Sequence, residues 1–503
     1  MEPWLSPCLD ADQMRSVDAW AIKEQGVPSL DLMETAGRAV ATAVGEHAGP
    51  GRVAVVCGKG NNGGDGLVAA RALAQAGFGV DVLLLWPEDE LSPDSAANLK
   101  RIDAARHVEA GELAGALDGA SVIVDAIFGT GFSGEARDPA AAAIAAINDA
   151  GALVVAADIA SGVDASTGVV EGPAVAADVT VSFHAPKIGH WLSPGKRHTG
   201  ELHVVPIGIP GGGPDPEAAG LIDAGVLGLL PRRGAYSTKF TSGQVVIVGG
   251  SRGLTGAVCL SAEAATRAGA GYATVAVPAE LEQIFEVKLT EVMSVGCASR
   301  EGRLRRAASE QILKVAERAA AVVLGPGIGR EDGTKDLVRD LALRVEAPLV
   351  IDADGLNAHA GRIKKLAGRE HPTVLTPHEG ELGRLLELDP DRIKERRLEC
   401  AARAARTSGA TVVLKGDDTI VTDGERVAIS RGGSPALATA GTGDVLSGLT
   451  GALLARGMDP FAGTCAAVFA HTLAGRVAAE RVGTVESVIA GDVVDAIPEA
   501  LRG

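Results

Sequence analysis

The sequence predicts an α/β protein of two domains, each with a mainly parallel sheet covered by helices on both faces. Three observations lead there. Short, near-continuously apolar runs alternate with Ala/Leu-rich stretches of helical length, as strands buried on both sides require. The alternation occurs twice, on either side of a segment that can continue neither element. The chain has 503 residues, room for two to four domains of ordinary size.

In chain order, the β-branched runs place strands at 53–57, 80–85, 122–127, 153–159 and 179–183, with helices between them at 67–76 and 140–148. The pattern then stops at Gly208-Ile209-Pro210-Gly211-Gly212-Gly213-Pro214-Asp215-Pro216-Glu217, where three prolines and four glycines fall in ten residues. Neither a helix nor a central strand survives that density, so a linker at 211–220 is expected to separate a domain at 1–210 from one at 221–503. Beyond it the strands resume at 245–249, 273–277, 322–325, 349–352 and 412–415. No period of 20–50 residues appears, which excludes a solenoid.

Composition narrows the function classes. A net charge of -17 opposes any partner held by phosphate neutralisation along a polymer, so neither nucleic acid nor an anionic membrane surface is expected. Aromatic residues are only 3% of the chain, too few for a base-stacking platform. Single nucleotides stay open, because helix N-termini bind phosphate locally. Six scattered cysteines without a CxxC pair argue against structural zinc or a disulfide scaffold and suit a reducing cytoplasm. No run of 18 apolar residues occurs, and the opening residues do not resemble a signal peptide. Glycine, at 66 residues, is the unusual entry in the composition, and its clusters carry the chemistry.

The strand at 53–57 runs into Gly58-Lys59-Gly60-Asn61-Asn62-Gly63-Gly64-Asp65-Gly66 and then a helix. Strand, glycine turn and helix N-terminus together cradle phosphate with backbone N–H groups; here the glycines are expected to supply positive φ and close approach. The motif is neither GxGxxG nor a Walker loop. Two further strands end in polar clusters, Asp125-Ala126-Ile127-Phe128-Gly129-Thr130-Gly131 and Asp158-Ile159-Ala160-Ser161-Gly162. Such acids could merely cap the helices that follow. Three clusters in one half favour a site instead, because the carboxyl ends of parallel strands converge on one crevice. Asn62, Asp125 and Ser161 would then gather hard oxygen ligands for an alkali or alkaline-earth ion, leaving Asp158 free as an acid/base.

These segments, with Leu32-Met33-Glu34-Thr35-Ala36-Gly37 and the opening Asp12-Gln13-Met14, resemble the epimerase part of the bifunctional NAD(P)H-hydrate repair enzymes across most of residues 1–210. The resemblance implies a Rossmann-like fold and interconversion of the R and S forms of hydrated NADH and NADPH. It places Asn61, Asn62, Gly63, Gly64 and Asp65, and Gly129, Thr130, Gly131, Phe132, Ser133, Gly134 and Glu135, against the hydrated nucleotide. It assigns potassium to Asn62, Asp125 and Ser161, and catalysis to Asp158. Ala160 stands where the family usually has proline.

The sharpest motif is Ala440-Gly441-Thr442-Gly443-Asp444, followed by a helix whose Val445, Leu446, Leu449, Leu453 and Leu454 form an apolar stripe. Its glycines fall at a helix N-terminus, where free N–H groups and the dipole stabilise a transferring phosphoryl group. Asp444, in the first turn, could accept a proton from an attacking hydroxyl.

That unit resembles the ribokinase-like kinases. Val248–Ser251, Gly325–Gly329, Asp352–Asn357, Thr376–Glu381 and Lys415–Thr419, in this order, narrow the resemblance to the ADP- or ATP-dependent NAD(P)H-hydrate dehydratases. The resemblance implies that Ala257, Gly327, His378 and Asp444 contact the hydrated nucleotide. Lys415, Gly416, Asp417, Asp418, Thr419 and Gly443 would hold the adenine nucleotide. Magnesium is expected on its phosphates. Hydroxide leaves poorly from the hydrated ring; once phosphorylated, the same oxygen leaves as phosphate, pushed out by the ring nitrogen. The implied function is repair of hydrated NADH and NADPH, with the S form dehydrated as ADP goes to AMP and phosphate, in a cytoplasmic homo-oligomer. Two alternatives stay open on the residues alone: a ribokinase-like kinase of a vitamin-precursor alcohol, and a nucleotide-binding scaffold.

Overall fold

The computed structural model describes residues 2–49, 51–214 and 219–502. Of the expected linker at 211–220, residues 215–218 lie outside the described residues. Two compact units emerge, one of Pro7–Ala219 and one of Glu2–Ser6 with Gly220–Gly503.

Strand β1 (Leu5–Cys8) opens the chain. The first unit's sheet is then built from β2 (Arg52–Cys57), β3 (Gly79–Leu84), β4 (Arg106–His107), β5 (Val122–Ala126), β6 (Leu153–Ala157), β7 (Val179–Phe183) and β8 (Glu201–Val205). They are parallel throughout, in the order β4-β3-β2-β5-β6-β7-β8. Alternation along a strand explains the continuous apolar runs: Ala54 and Val56 join the core on one face, and Val53, Val55 and Cys57 the core on the other. From β2 the chain works outward to β4, then returns to β5 and works outward the other way. The gap between β2 and β5 is therefore the topological switch point, where a crevice opens at the strands' carboxyl ends. Helices α1 (Ala11–Lys23), α2 (Ser29–His47) and α3 (Asn61–Gln75) flank it.

The second unit's sheet has β9 (Ala219–Ile222), β10 (Gln244–Val248), β11 (Tyr272–Pro278), β12 (Met293–Cys297), β15 (Ala321–Leu324), β16 (Leu349–Ile351), β17 (Thr373–Leu375), β18 (Thr411–Leu414), β19 (Ile420–Thr422) and β20 (Val427–Ile429). A separate two-residue hairpin pairs β13 (Ser299–Arg300) with β14 (Arg303–Leu304). The sheet runs β1-β9-β20-β19-β18-β17-β16-β15-β10-β11-β12. It is parallel from β12 to β18 and antiparallel across β18, β19 and β20. Its own switch point lies between β10 and β15. Both expected α/β folds are therefore present.

One segment departs from a simple two-part chain. Glu2–Ser6 belongs to the second unit, where Trp4 and Leu5 are buried in its core and the Trp4 ring lies 6.1 Å from that of Phe461. An opening strand this short, with Pro7 inside it, gave the sequence pattern nothing periodic to register.

Candidate active sites

The first glycine cluster is part of a helix. Helix α3 begins at Asn61, not after Gly66 as the sequence pattern suggested, and none of Gly58, Gly60, Gly63, Gly64 and Gly66 has positive φ. What these positions require is space: a Cβ on Gly63 would sit 1.9 Å from the Gly58 carbonyl oxygen, and one on Gly66 2.5 Å from Ala126 Cβ. The glycines let α3 lie against β2 and β5 and aim its N-terminus into the crevice.

There the three expected metal ligands meet. Ser161 donates from its backbone N–H to Asp125 Oδ2 at 2.8 Å and from its hydroxyl to Asp125 Oδ1 at 2.6 Å. Phe128 links them to Asn62, donating to Ser161 Oγ at 2.9 Å and accepting from Asn62 Nδ2 at 2.9 Å. Asn62 Oδ1 is buried with no hydrogen-bond partner. Burial pushes the Asp125 carboxyl up to about 6 despite the Ser161 hydrogen bonds. An orphaned amide oxygen linked through Phe128 and Ser161 to a buried carboxylate, all donors hard oxygens, fits an alkali or alkaline-earth cation such as potassium.

Beside them opens a cavity of about 650 Å³, walled in part by Asn61, Asp65, Gly129, Thr130, Phe132 and Asp158. Gly131 and Ser133 also line it, whereas Gly63, Gly64, Gly134 and Glu135 are not among its walls. The scarce aromatics concentrate here: Phe128 stacks on Phe132 at 4.6 Å, and Trp86 lies 6.2 Å from Phe128.

Asp158 is not left free, as the sequence reading expected. Its carboxylate is ion-paired with Lys187, which is fully buried and also donates to Ser182 Oγ at 3.0 Å and the Phe183 carbonyl at 2.8 Å. Phe183 N–H donates to the same carboxylate at 3.2 Å. Asp158 also holds a left-handed φ of 67°, a strained conformation that clusters at functional sites. His190 completes the support. Burial, and then the Lys187 charge, pull it down to about 3, so it is neutral. Its Nδ1 accepts from Lys187 N–H at 3.0 Å, which leaves Nε2–H to donate to the Asp158 carbonyl at 3.0 Å.

Sequence reasoning missed Lys187 and Asp18. Asp18 lies on α1 in the cavity wall, and burial and then the charge of Asp158 push it up to about 6. Asp65 is raised well above the ordinary range, again by burial first. Neither Lys187 nor Asp18 stands in a glycine cluster, so no local signal marked them.

In the second unit, Gly441 takes φ 93° and turns the chain into the helix Thr442–Ala455, with Asp444 in its first turn as expected. Across the switch point, Gly327 has φ 60°, and a Cβ there would meet the Leu254 carbonyl at 2.4 Å and Ala257 Cβ at 3.2 Å. The expected substrate contacts Ala257 and Gly327 are thus neighbours. Lys415 Nζ lies 3.1 Å from Asp352 and 3.6 Å from Glu381, and 3.6 Å from where a Gly443 Cβ would be. Lys415 and Gly443 are thereby brought together at the helix N-terminus.

The carboxylates there outnumber the lysine. Burial pushes Asp444 up to about 7, and Asp352 adds repulsion that Lys415 only partly offsets. Burial opposes the charge on Lys415, but Asp352 and Glu381 outweigh it and raise its pKa. Such an acid excess fits a divalent cation arriving with nucleotide phosphates. His378 caps the helix Glu379–Leu386, its Nδ1 accepting from the N–H groups of Gly380 and Glu381; burial lowers its pKa, and its Nε2 lies 3.5 Å from the buried Glu381 carboxylate. Gly416 and Thr419 close a turn on each other, and Asp417 Oδ1 accepts from Gly433 N–H at 2.8 Å. Asp418 instead turns inward to the buried Arg397 at 3.1 Å, so its carboxylate is committed to the fold.

Comparison with known proteins matches both halves. A family model described as YjeF-related protein N-terminus covers residues 29–189, and one described as NAD(P)H-hydrate dehydratase covers 245–499. The bifunctional NAD(P)H-hydrate repair enzyme Nnr of Moorella thermoacetica is 40% identical, over 98% of this chain and 96% of its own. That of Salinibacter ruber is 38% identical, over 98% and 95%. Among solved structures, the ADP/ATP-dependent NAD(P)H-hydrate dehydratase of Bacillus subtilis, co-crystallised with ATP and Mg²⁺, is 26% identical with a TM-score of 0.47. It covers 55% of this chain and 95% of its own.

Proposed function

Since the chain belongs to the bifunctional NAD(P)H-hydrate repair enzymes, we propose that its two crevices divide one repair between them. The first unit interconverts the R and S hydrates of NADH and NADPH. The second converts the S hydrate back to the reduced nucleotide, with ADP as phosphoryl donor. The observation that supports this most is that each unit gathers its polar residues, several acids with a lysine, at the carboxyl ends of its own parallel strands.

Inverting the hydroxyl-bearing ring carbon requires a bond there to open and close again on the other face. One group must take a proton and another return it. Asp158 is the base, its carboxylate oriented by Lys187 and the Phe183 N–H. Asp18, raised to about 6, is suited to hold the proton to be returned. The Phe128–Phe132 stack offers a flat apolar wall for the ring, and the start of α3 offers N–H groups to the pyrophosphate. Potassium held by Asn62, Asp125 and Ser161 would fix the loops that carry these residues.

In the second unit, Asp444 takes the proton from the substrate hydroxyl as it attacks the donor phosphate. The N–H groups from Gly443 onward receive the developing charge, and Lys415 neutralises part of it. Magnesium on the phosphates would supply the remaining neutralisation, with Asp352, Asp354 and Glu381 within electrostatic reach of Asp444. The ring nitrogen lone pair then expels the phosphorylated oxygen as phosphate, and loss of a proton from the neighbouring ring carbon restores the dihydronicotinamide. All six cysteines are buried, which suits a reducing cytoplasm, and no described helix is long and apolar enough to cross a membrane.

The test is recovery of reduced-nicotinamide absorbance from a racemic hydrate with magnesium, potassium and either ADP or ATP. Full recovery with one nucleotide is expected, and it names the donor. Recovery that stops at half, with spontaneous exchange suppressed, would refute the assignment of the first unit. A stable phosphorylated product would point to a small-molecule kinase instead.

A further inference from the structure

Away from its crevice, the first unit carries another convergence of ligand atoms. His47 ends α2, and Glu201 and His203 project two residues apart from the edge strand β8, on one face of it. His47 Nε2 lies 3.7 Å from one Glu201 carboxylate oxygen, and His203 Nε2 lies 3.1 Å from the other. The two imidazoles meet edge to face with centroids 5.4 Å apart, and one donor atom from each of the three residues lies within 4.8 Å of the others.

Two details set this cluster apart from an ordinary surface ion pair. His47 Nδ1 bonds to the Ala43 carbonyl at 2.9 Å and so carries the proton in the neutral ring, leaving the Nε2 lone pair aimed at the cluster. His203 Nε2 is shielded from solvent yet makes no hydrogen bond, although Glu201 is near. Folded proteins rarely leave such an atom unsatisfied.

We propose that His47, Glu201 and His203 form a transition-metal site, with two imidazole nitrogens and one carboxylate as ligands and an open position facing solvent. Ligand atoms around a tetrahedral Zn²⁺ sit roughly 3.4 Å apart, given metal–ligand bonds of about 2.0–2.2 Å. The two imidazoles lie 3.1 and 3.7 Å from the two different Glu201 oxygens, and one atom of each residue lies within 4.8 Å of the others, so small side-chain rotations reach that spacing. Imidazole favours Zn²⁺, Co²⁺, Ni²⁺ or Cu²⁺ over Mg²⁺ and K⁺, so this site selects ions that neither crevice uses. A bound ion fastens the last turn of α2 to the sheet edge. The other end of α2 supplies Leu32, Met33 and Ala36 to the cavity wall. Because the ligands converge only in the folded chain, the ion stabilises it by mass action.

The test is titration of chelator-treated full-length protein with Co²⁺, followed by its visible absorption, and with Zn²⁺, followed by calorimetry and thermal melting. Mg²⁺ serves as the control. One Co²⁺ per chain is expected in a nitrogen/oxygen environment, displaced by Zn²⁺ and not by Mg²⁺. His203→Ala and Glu201→Gln should each weaken binding about tenfold or more and abolish the Zn²⁺-dependent rise in melting temperature. Glu201→Gln preserves side-chain shape on an exposed residue, so its loss of binding is not a loss of fold. Wild-type affinity retained in both variants, or no Co²⁺ spectrum in the parent protein, overturns the site.

Discussion

Both units set an acid at the carboxyl end of a parallel sheet, yet they balance its charge in opposite ways. Asp158 has a buried lysine and the Phe183 N–H on its carboxylate, and a neutral histidine on its carbonyl. Asp444 shares Lys415 with Asp352 and Glu381, and its carboxyl is pushed up to about 7. The first arrangement is complete before substrate arrives, as an isomerisation without a second substrate allows. The second is short of positive charge until a nucleotide brings a cation with it. Lys187 thus makes a direct ion pair with one carboxylate, whereas Lys415 makes two and faces Asp444 as well.

The sharpest way to break this comparison is to neutralise each acid. Asp444→Asn should cut nucleotide-dependent dehydration by about 10²–10⁴-fold and leave epimer exchange intact, and Asp158→Asn the reverse. Assaying both activities on both variants checks it, and cross-effects would sink the division of labour. Next comes Lys187→Met, which strands a buried carboxylate. It should cost the first unit about 3–5 kcal/mol in denaturant unfolding, with much of this restored in the Lys187→Met/Asp158→Asn double variant.

A smaller effect concerns pH. Asp444 ionises near 7 in the folded unit against an ordinary value of 3.8, so the folded state holds the proton more tightly. Its burial therefore costs nothing below pH 3.8, becomes progressively destabilising up to about 7, and stays so above. Asp444→Asn should raise the ligand-free melting temperature of the second unit at pH 8 and leave it unchanged at pH 3. For catalysis the sign reverses: the base must be ionised, so dehydration kcat/KM should fall about tenfold per unit below pH 7. The smallest change is ionic. Replacing potassium with lithium should slow epimerisation, since Asn62 Oδ1 would lose its partner, and leave the rate of dehydration unchanged.

The sequence announced what is local. Parallel strands were visible because both faces of β2 are buried, and the glycine clusters because helix and strand touch there with no room for a Cβ. The same clusters misled on conformation, since tight packing and positive φ call for the same residue. What lay beyond reach was long-range pairing. Lys187 reads as an ordinary charge in a loop until the fold carries it to Asp158, and Asp418 reads as a ligand until Arg397 claims it. Asp18 sits in a helix whose pattern shows only that one face is apolar; the acid becomes unusual through neighbours far along the chain.

The short segment Glu2–Ser6 makes the first unit an insertion within the second. During synthesis Trp4 is delivered several hundred residues before Phe461, the ring it will lie against. An indole that belongs in a core must therefore wait in solvent while an entire α/β unit is made and folds. The same order governs any attempt to separate the two activities into independent genes. A cut at the glycine- and proline-rich seam leaves the dehydratase half without Trp4 and Leu5, and leaves the other half carrying them as a sticky, homeless end. A clean separation has to carry those five residues across and graft them ahead of Gly220.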